Sequence, residues 1–303
     1  MLSFLPSYIL GVVTLALMAL DTILAMIPIY ILSLLKFVIR LPAWQRVCAR
    51  MLMRTATSWM LGIIFILKLT QKISWDVKGI DDLSLDEWYF VNSNHQSWTD
   101  IIVMIKIFTG RIPFLKFFLK QQLFWVPMLG TAWWALDYPF MKRYSKAFLE
   151  KHPELRGKDL EVTRKACERY KHSPVSILNF IEGTRFTPEK HREQKAPYRH
   201  LLRPKAGGFA FAISSMTGKI TNMLDVTVVY PEGPVNFWGL LCGRLSRVVV
   251  RVQQLVIPEK FLYGNYQDDP VFRERFQAWV SNLWHEKDEL IESLSKEYGI
   301  AIT

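Results

Sequence analysis

The sequence is short of cysteine, of acid and of flexible linkers. Its three cysteines are Cys48, Cys167 and Cys242. An odd number without paired spacing indicates neither a disulfide framework nor a zinc site, and fits a reducing compartment. Asp and Glu total 27 against 38 Lys and Arg, a formal net charge of +11. From Thr22 to Trp75 there is no acidic residue at all. No Gly/Ser-rich linker, internal repeat or low-complexity tract is present. At 50% apolar and 14% aromatic, the chain is too hydrophobic to be disordered. Its 21% of charged residues excludes a polytopic carrier and leaves room for one or two membrane segments. Its 303 residues suffice for a sizeable core in one large α/β domain or two small ones. Basic and greasy together imply a partner that is both anionic and apolar, as a phospholipid surface is. Charge alone would also admit nucleic acid. No nucleic-acid fold signature appears, however, and much of the positive excess lies beside an apolar N-terminal run, so no nucleic-acid partner is expected.

That run, Leu2 to Val38, is interrupted only by Asp21, Pro6 and Pro28. A cleavable signal peptide begins with basic residues and has a shorter apolar stretch; Met1-Leu2-Ser3-Phe4 carries no base. A span of a bilayer takes about 20 apolar residues, which this run exceeds. Lys36, Arg40, Arg46, Arg50 and Arg54 come next, and then a weaker apolar segment, Trp59 to Leu67. That second segment is too short to cross unless Met51–Ser58 is pulled in with its arginine, and an amphipathic helix in the headgroup layer is the equal alternative. The domain division implied is 1–73 for membrane-embedded helices and 74–303 for the remainder.

From about Ser74 short β-rich runs alternate with helical ones, which argues for an α/β layer fold. Strands are expected at Trp88–Val91, Val175–Phe180, Leu224–Tyr230 and Arg247–Val256. Helices are expected at Thr99–Phe108, Lys158–Lys171 and Ala206–Met216. Asp269 with Pro270 has the pattern of an N-cap and first helical residue. Phe272, Phe276, Trp279, Leu283, Leu290 and Leu294 continue at helical spacing, forming a C-terminal amphipathic helix.

Four blocks carry chemistry. Asn94-His95-Gln96-Ser97-Trp98-Thr99-Asp100 sits between a strand and a helix, with His95 and Asp100 five residues apart. An imidazole held in one tautomer by a carboxylate is a general base at neutral pH. Phe140-Met141-Lys142-Arg143 offers Arg143 as a phosphate ligand. Glu182-Gly183-Thr184-Arg185, after a strand, offers a turning glycine, a hydroxyl and a guanidinium fork suited to phosphate. Arg203-Pro204-Lys205-Ala206-Gly207-Gly208 opens a helix, where Lys205 and the helix N-terminus add positive potential.

Asn-His-x-x-x-x-Asp, Phe-x-x-Arg, Glu-Gly-Thr-Arg and Lys-x-Gly, in that order over roughly Val77 to Pro231, resemble the four blocks of the glycerolipid acyltransferases. The lysophosphatidic acid acyltransferases belong to that family. The wording NHQSWTD, DYPFMKR and EGTRFTPEKH is close to the YihG-like bacterial inner-membrane acyltransferases, and it is similar to the eukaryotic lysophosphatidate and lysocardiolipin branch.

The resemblance implies a glycerol-3-phosphate acyltransferase-like mixed sheet flanked by helices, preceded by a two-helix membrane segment. It implies that His95, oriented by Asp100, takes the proton of a lysophospholipid hydroxyl that attacks an acyl thioester, with backbone N–H groups stabilising the oxyanion. Arg143, Glu182, Gly183, Thr184, Arg185 and Lys205 would form the acceptor site. No metal or cofactor is implied, acyl-CoA or acyl carrier protein being a co-substrate. The implied place is the bacterial inner membrane, catalytic domain cytoplasmic. No Gly-x-Ser-x-Gly elbow is present and no cysteine neighbours His95, which argues against an acyl-enzyme. Departures bear on the acceptor: Ile181 stands where Pro is common, Val226-Thr227-Val228-Val229-Tyr230-Pro231 replaces Val-Pro-Val, and Glu150–Lys158 reads as an insertion. A lysocardiolipin or other lysophospholipid acceptor is the alternative, and an inactive lipid-binding regulator the rival of another class. With a cytoplasmic catalytic domain and the basic loop also inside, at most one apolar segment crosses, either as one span or as a monotopic hairpin.

Overall fold

The computed structural model describes residues 2, 4–138, 140–141, 170, 173–216 and 218–300. Arg143, the apparent insertion at Glu150–Lys158, nearly all of the helical stretch Lys158–Lys171, and Cys167 lie outside the described residues.

Helix α1, Ser7–Val38, and helix α2, Pro42–Thr70, form an antiparallel hairpin. The second helix runs unbroken through the arginines, taking Met51–Ser58 in with the apolar segment Trp59–Leu67. No proline or glycine interrupts Ala43 to Leu61, and Pro42 is tolerated at the first turn. Its arginines recur every fourth residue, so Arg46, Arg50 and Arg54 share one exposed stripe that continues into Leu61 and Phe65. The opposite stripe, including Leu52, Ala56, Ile63 and Ile66, is buried. Gly62 permits close approach of α1, because a methyl group there would strike the Asp21 carboxylate. Along α1, Tyr8, Val12, Leu24, Ile27, Leu34 and Phe37 remain exposed, an apolar face too extensive for water.

Both ends of α1 are fastened to the rest of the protein. Near its start, Ser7 Oγ donates to the Cys242 carbonyl at 2.7 Å. Near its end, Lys36 Nζ lies 3.6 Å from Asp137 and the Tyr30 hydroxyl donates to the Met128 carbonyl at 2.8 Å. Ser7 and Lys36 are about 44 Å apart along a helix rising 1.5 Å per residue, so α1 lies along the domain.

The domain is built on a six-stranded sheet. Its strands are β1 (Ser74–Lys78), β2 (Tyr89–Ser93), β3 (Leu115–Phe117), β6 (Ser176–Asn179), β7 (Asn222–Val229) and β8 (Arg247–Val256), in the order β1-β8-β7-β2-β6-β3. A separate pair joins β4, Leu119–Lys120, to β5, Phe140–Met141. All neighbours in the large sheet are parallel except β7 with β8. The central β2 is buried at every position, as expected of a parallel strand covered on both faces. Helix α3, Thr99–Phe108, has the bounds expected from sequence, and so does β8; β2, β6 and β7 each shift by one to two residues. Asp269 caps the C-terminal helix, Pro270–Glu297, by accepting from the Val271 and Phe272 amides.

Candidate active site

Adjacent parallel strands end together, which brings the loops leaving them into contact. Asn92 of β2 pairs with Asn179 of β6, and the loops beyond their C-terminal ends form the crevice where α/β sheets hold ligands. The Phe186 amide donates to the His95 carbonyl at 2.7 Å, joining the Glu-Gly-Thr-Arg turn to the His95 loop.

His95 Nδ1 lies 2.8 Å from Asp100 Oδ2. The same oxygen accepts from the Gln96 amide at 2.6 Å and the Ser97 amide at 2.9 Å. Its partner, Oδ1, accepts from the Tyr230 hydroxyl at 2.6 Å. Burial, with the neighbouring Asp100 carboxylate, holds the Tyr230 phenol well above its ordinary range, so it stays a donor. Four donors thus converge on one carboxylate, which is anionic and acceptor-only when ionised. Nδ1 then carries the ring proton, and Nε2 is left as the acceptor. The ring is stacked on Phe180 at 3.9 Å between centroids and is 15% exposed.

Glu182 departs from the sequence expectation. Grouped there with the acceptor-binding residues, it is fully buried, with Oε2 accepting from the His95 amide at 3.2 Å and Oε1 from the Leu202 amide at 3.1 Å. Burial pushes its carboxyl up to about 8, against the pull of those two amides. It offers no surface to a ligand; it braces the His95 loop and the loop entering the helix Ala206–Ser215. Gly183 turns the chain at φ +70°, and a side chain there would meet that of Lys205, so only glycine suits the position.

The exposed groups are cationic. The Arg185 guanidinium lies 5.4 Å from the ring centroid of Trp98, a residue three positions after His95. The Lys205 side chain folds over Gly183. Lys190, which the sequence reading passed over, donates to Thr184 Oγ1 at 2.7 Å and to the Arg185 carbonyl at 3.0 Å. Helical spacing after the Thr187 cap brings it there. Phe180 and Tyr230 were also missed, both having read as strand ends. Of the site residues expected from sequence, His95, Asp100, Glu182, Gly183, Thr184, Arg185 and Lys205 come together, while Arg143 is outside the described residues.

Beside this turn opens an apolar cavity of about 620 Å³ between the hairpin and α3. Trp98, Ile101, Met104 and Ile105 line one side, Thr22 and Trp59 another. Leu178 lines it two residues before the Phe180 that supports His95. The arrangement juxtaposes an imidazole–carboxylate pair, a cluster of cations and an apolar slot walled on one side by the hairpin.

Residues 74–235, just over half of the chain, match the acyltransferase family. Among individual proteins, the chain is 27% identical over 195 residues to a mouse protein named 1-acyl-sn-glycerol-3-phosphate acyltransferase gamma, covering 61% of this chain and 46% of that one. It is 26% identical over 187 residues to the human delta form, covering 58% and 44%. The chain therefore spans under half the length of these relatives. A crystal structure of the 1-acyl-sn-glycerophosphate acyltransferase PlsC from Thermotoga maritima aligns at 15% identity and a TM-score of 0.46, covering 88% of this chain and 97% of that one.

Proposed function

The chain belongs to the acyltransferase family, and we propose that it transfers a fatty acyl group from a thioester to the free hydroxyl of a lysophospholipid. The acceptor we assign is 1-acylglycerol-3-phosphate, as the names of the relatives suggest, with phosphatidic acid as product. The observation that carries this reading is the His95–Asp100 pair beside both the cationic turn and the apolar cavity. His95 Nε2 takes the hydroxyl proton as the oxygen attacks the thioester carbonyl carbon. The C–S bond breaks, and the proton passes from His95 to the departing thiolate. A thiolate leaves readily, so the reading requires no metal or resident cofactor; acyl-CoA and acyl carrier protein are both suitable donors. Arg185 and Lys205 hold the acceptor phosphate, joined by Arg143 in the family pattern, while Gly183 and Thr184 shape the turn. The cavity takes the acyl chain.

Purified protein given labelled acyl-CoA and a panel of lysophospholipids tests the reading. Lysophosphatidate is expected to be acylated fastest. Preference for lysocardiolipin would move the acceptor, and no transfer to any member would leave an inactive lipid-binding protein. In the same assay Arg185→Lys is expected to raise the lysophospholipid KM about tenfold, since a point charge replaces a fork stacked on Trp98. The acyl-CoA KM should barely change. An effect confined to the thioester would assign this arginine to the other substrate.

The hairpin supports a monotopic attachment to one leaflet, which we assign, from the family resemblance, to the cytoplasmic side of a bacterial inner membrane. A helix fastened to the domain at Ser7 and again at Lys36 does not leave it to cross a bilayer. Cysteine introduced at Ser3, or at Glu193 on the Pro188–Gln194 helix, is expected to react only with reagent admitted to the cytoplasm. Labelling of Glu193→Cys from outside intact cells would overturn the orientation, and labelling of Ser3→Cys alone from outside would indicate a single span.

A further inference from the structure

Between β4 and β5 the chain makes a 3-10 turn, Gln121–Trp125, and helix α4, Leu129–Ala135. From Gln121 to Leu136 there is no charged residue. The segment has two faces. Leu123, Val126, Leu129 and Trp133 line the apolar cavity. On the outside, Trp125 is 79% and Trp134 61% exposed. Two indoles so exposed, on an uncharged segment, are poorly suited to water.

Their surroundings identify the phase they suit. The segment is joined to α1 through Tyr30, whose hydroxyl meets the Met128 carbonyl and Thr131 Oγ1, both at 2.8 Å. It is therefore continuous with the apolar face of the hairpin. Trp134 also shares a cleft of about 490 Å³ with Lys36 and Arg40, at the turn between α1 and α2. Aromatic side chains beside Lys and Arg are the composition of the membrane–water interface, where indole bridges apolar and polar layers and cations meet lipid phosphates.

We propose that Gln121–Ala135 is a second membrane-inserted element, seated in the headgroup layer beside the hairpin, with Trp125 and Trp134 as its anchors. It forms the lateral wall of the cavity, so that an acyl chain passes between leaflet and cavity without crossing water. The seating of the two indoles rests on the hairpin being membrane-embedded and is independent of the chemistry at His95, whereas the acyl route rests also on the proposed acyl transfer.

The test uses the unaltered protein in phosphatidylethanolamine–phosphatidylglycerol vesicles that carry a phospholipid with a photoactivatable group near its headgroup. After illumination, adducts are mapped by mass spectrometry. Adducts are expected on Trp125 and Trp134 as well as on exposed α1 residues such as Leu34 and Phe37, and not on the Pro188–Gln194 helix. A labelled hairpin without adducts on the two indoles overturns the proposal alone. Adducts confined to the cavity-facing Leu129 and Trp133 also overturn it, as does cross-linking of this segment to a second copy instead of to lipid. An unlabelled hairpin overturns the membrane reading beneath it. In a second arm, the Trp125→Ser/Trp134→Ser variant is expected to raise the KM for vesicle-borne lysophospholipid about tenfold with kcat unchanged. An unchanged KM in a folded variant counts against the lateral route.

Discussion

Replacing His95 with alanine is expected to lower turnover by about 10²–10⁴-fold or more while leaving the protein folded and membrane-bound. The imidazole is held in place on two sides, by Phe180 against its face and Asp100 at Nδ1, beside the cationic turn. Asp100→Asn is expected to cost nearly as much, by a different route. A carboxamide oxygen that serves the Gln96 and Ser97 amides also faces His95 Nδ1, as Oδ2 does, while its NH2 takes the place of Oδ1 against the Tyr230 hydroxyl. The base then keeps its tautomer but loses the negative charge that stabilises the imidazolium formed as it takes the proton. Steady-state rates on folded variants, checked by unchanged unfolding midpoints, measure both effects. Full activity in His95→Ala would remove the histidine from the mechanism.

The largest effect on stability is expected behind the site, at a buried charge pair. Lys287, on the C-terminal helix, is fully buried with Nζ 2.9 Å from Asp225 Oδ2. It also donates to the Val226 carbonyl at 2.8 Å and Thr227 Oγ1 at 3.1 Å. Asp225 Oδ1 accepts from Asn92 Nδ2 at 2.8 Å, on the strand leading to His95. Lys287→Met leaves a buried carboxylate without its cation and is expected to cost about 3–5 kcal/mol. Denaturant unfolding in detergent measures the loss. The double variant Lys287→Met/Asp225→Asn is expected to recover a large part of it, because no uncompensated charge remains. Equal instability of the single and double variants would show that helix packing, not the charge pair, is what Lys287 supplies.

Lys287 also shows where sequence reading stops. The apolar spacing of Phe276, Leu283 and Leu294 marked the helix and its buried face. Nothing local marks a lysine on that face as buried, because the carboxylate that makes its burial tolerable lies 62 residues earlier, on a different element. The same holds for Tyr230. Its hydroxyl completes the Asp100 carboxylate across 130 residues, and nothing in Val-Val-Tyr-Pro announces it. Glu182 was legible as a member of the site but not as a brace, since the amides that claim its two oxygens belong to His95 and Leu202.

What the sequence determined by itself was local or periodic. The long apolar run, the helix from Thr99 to Phe108, the Asp269 cap and the order of the four blocks all depend on residues near one another along the chain. From these the family and the His95–Asp100 pair could be read. How far the second membrane helix extends was left open, because a stripe of arginines beside an apolar stripe lowers the hydrophobicity of Met51–Ser58 without breaking the helix. Only the tertiary structure decided that α1 lies along the domain, fastened at both ends, and that the cavity opens beneath the hairpin. Those facts rest on pairs such as Ser7 with Cys242 and Tyr30 with Met128, separated by 235 and 98 residues. No local propensity encodes such pairings; they arise from which buried faces fit together.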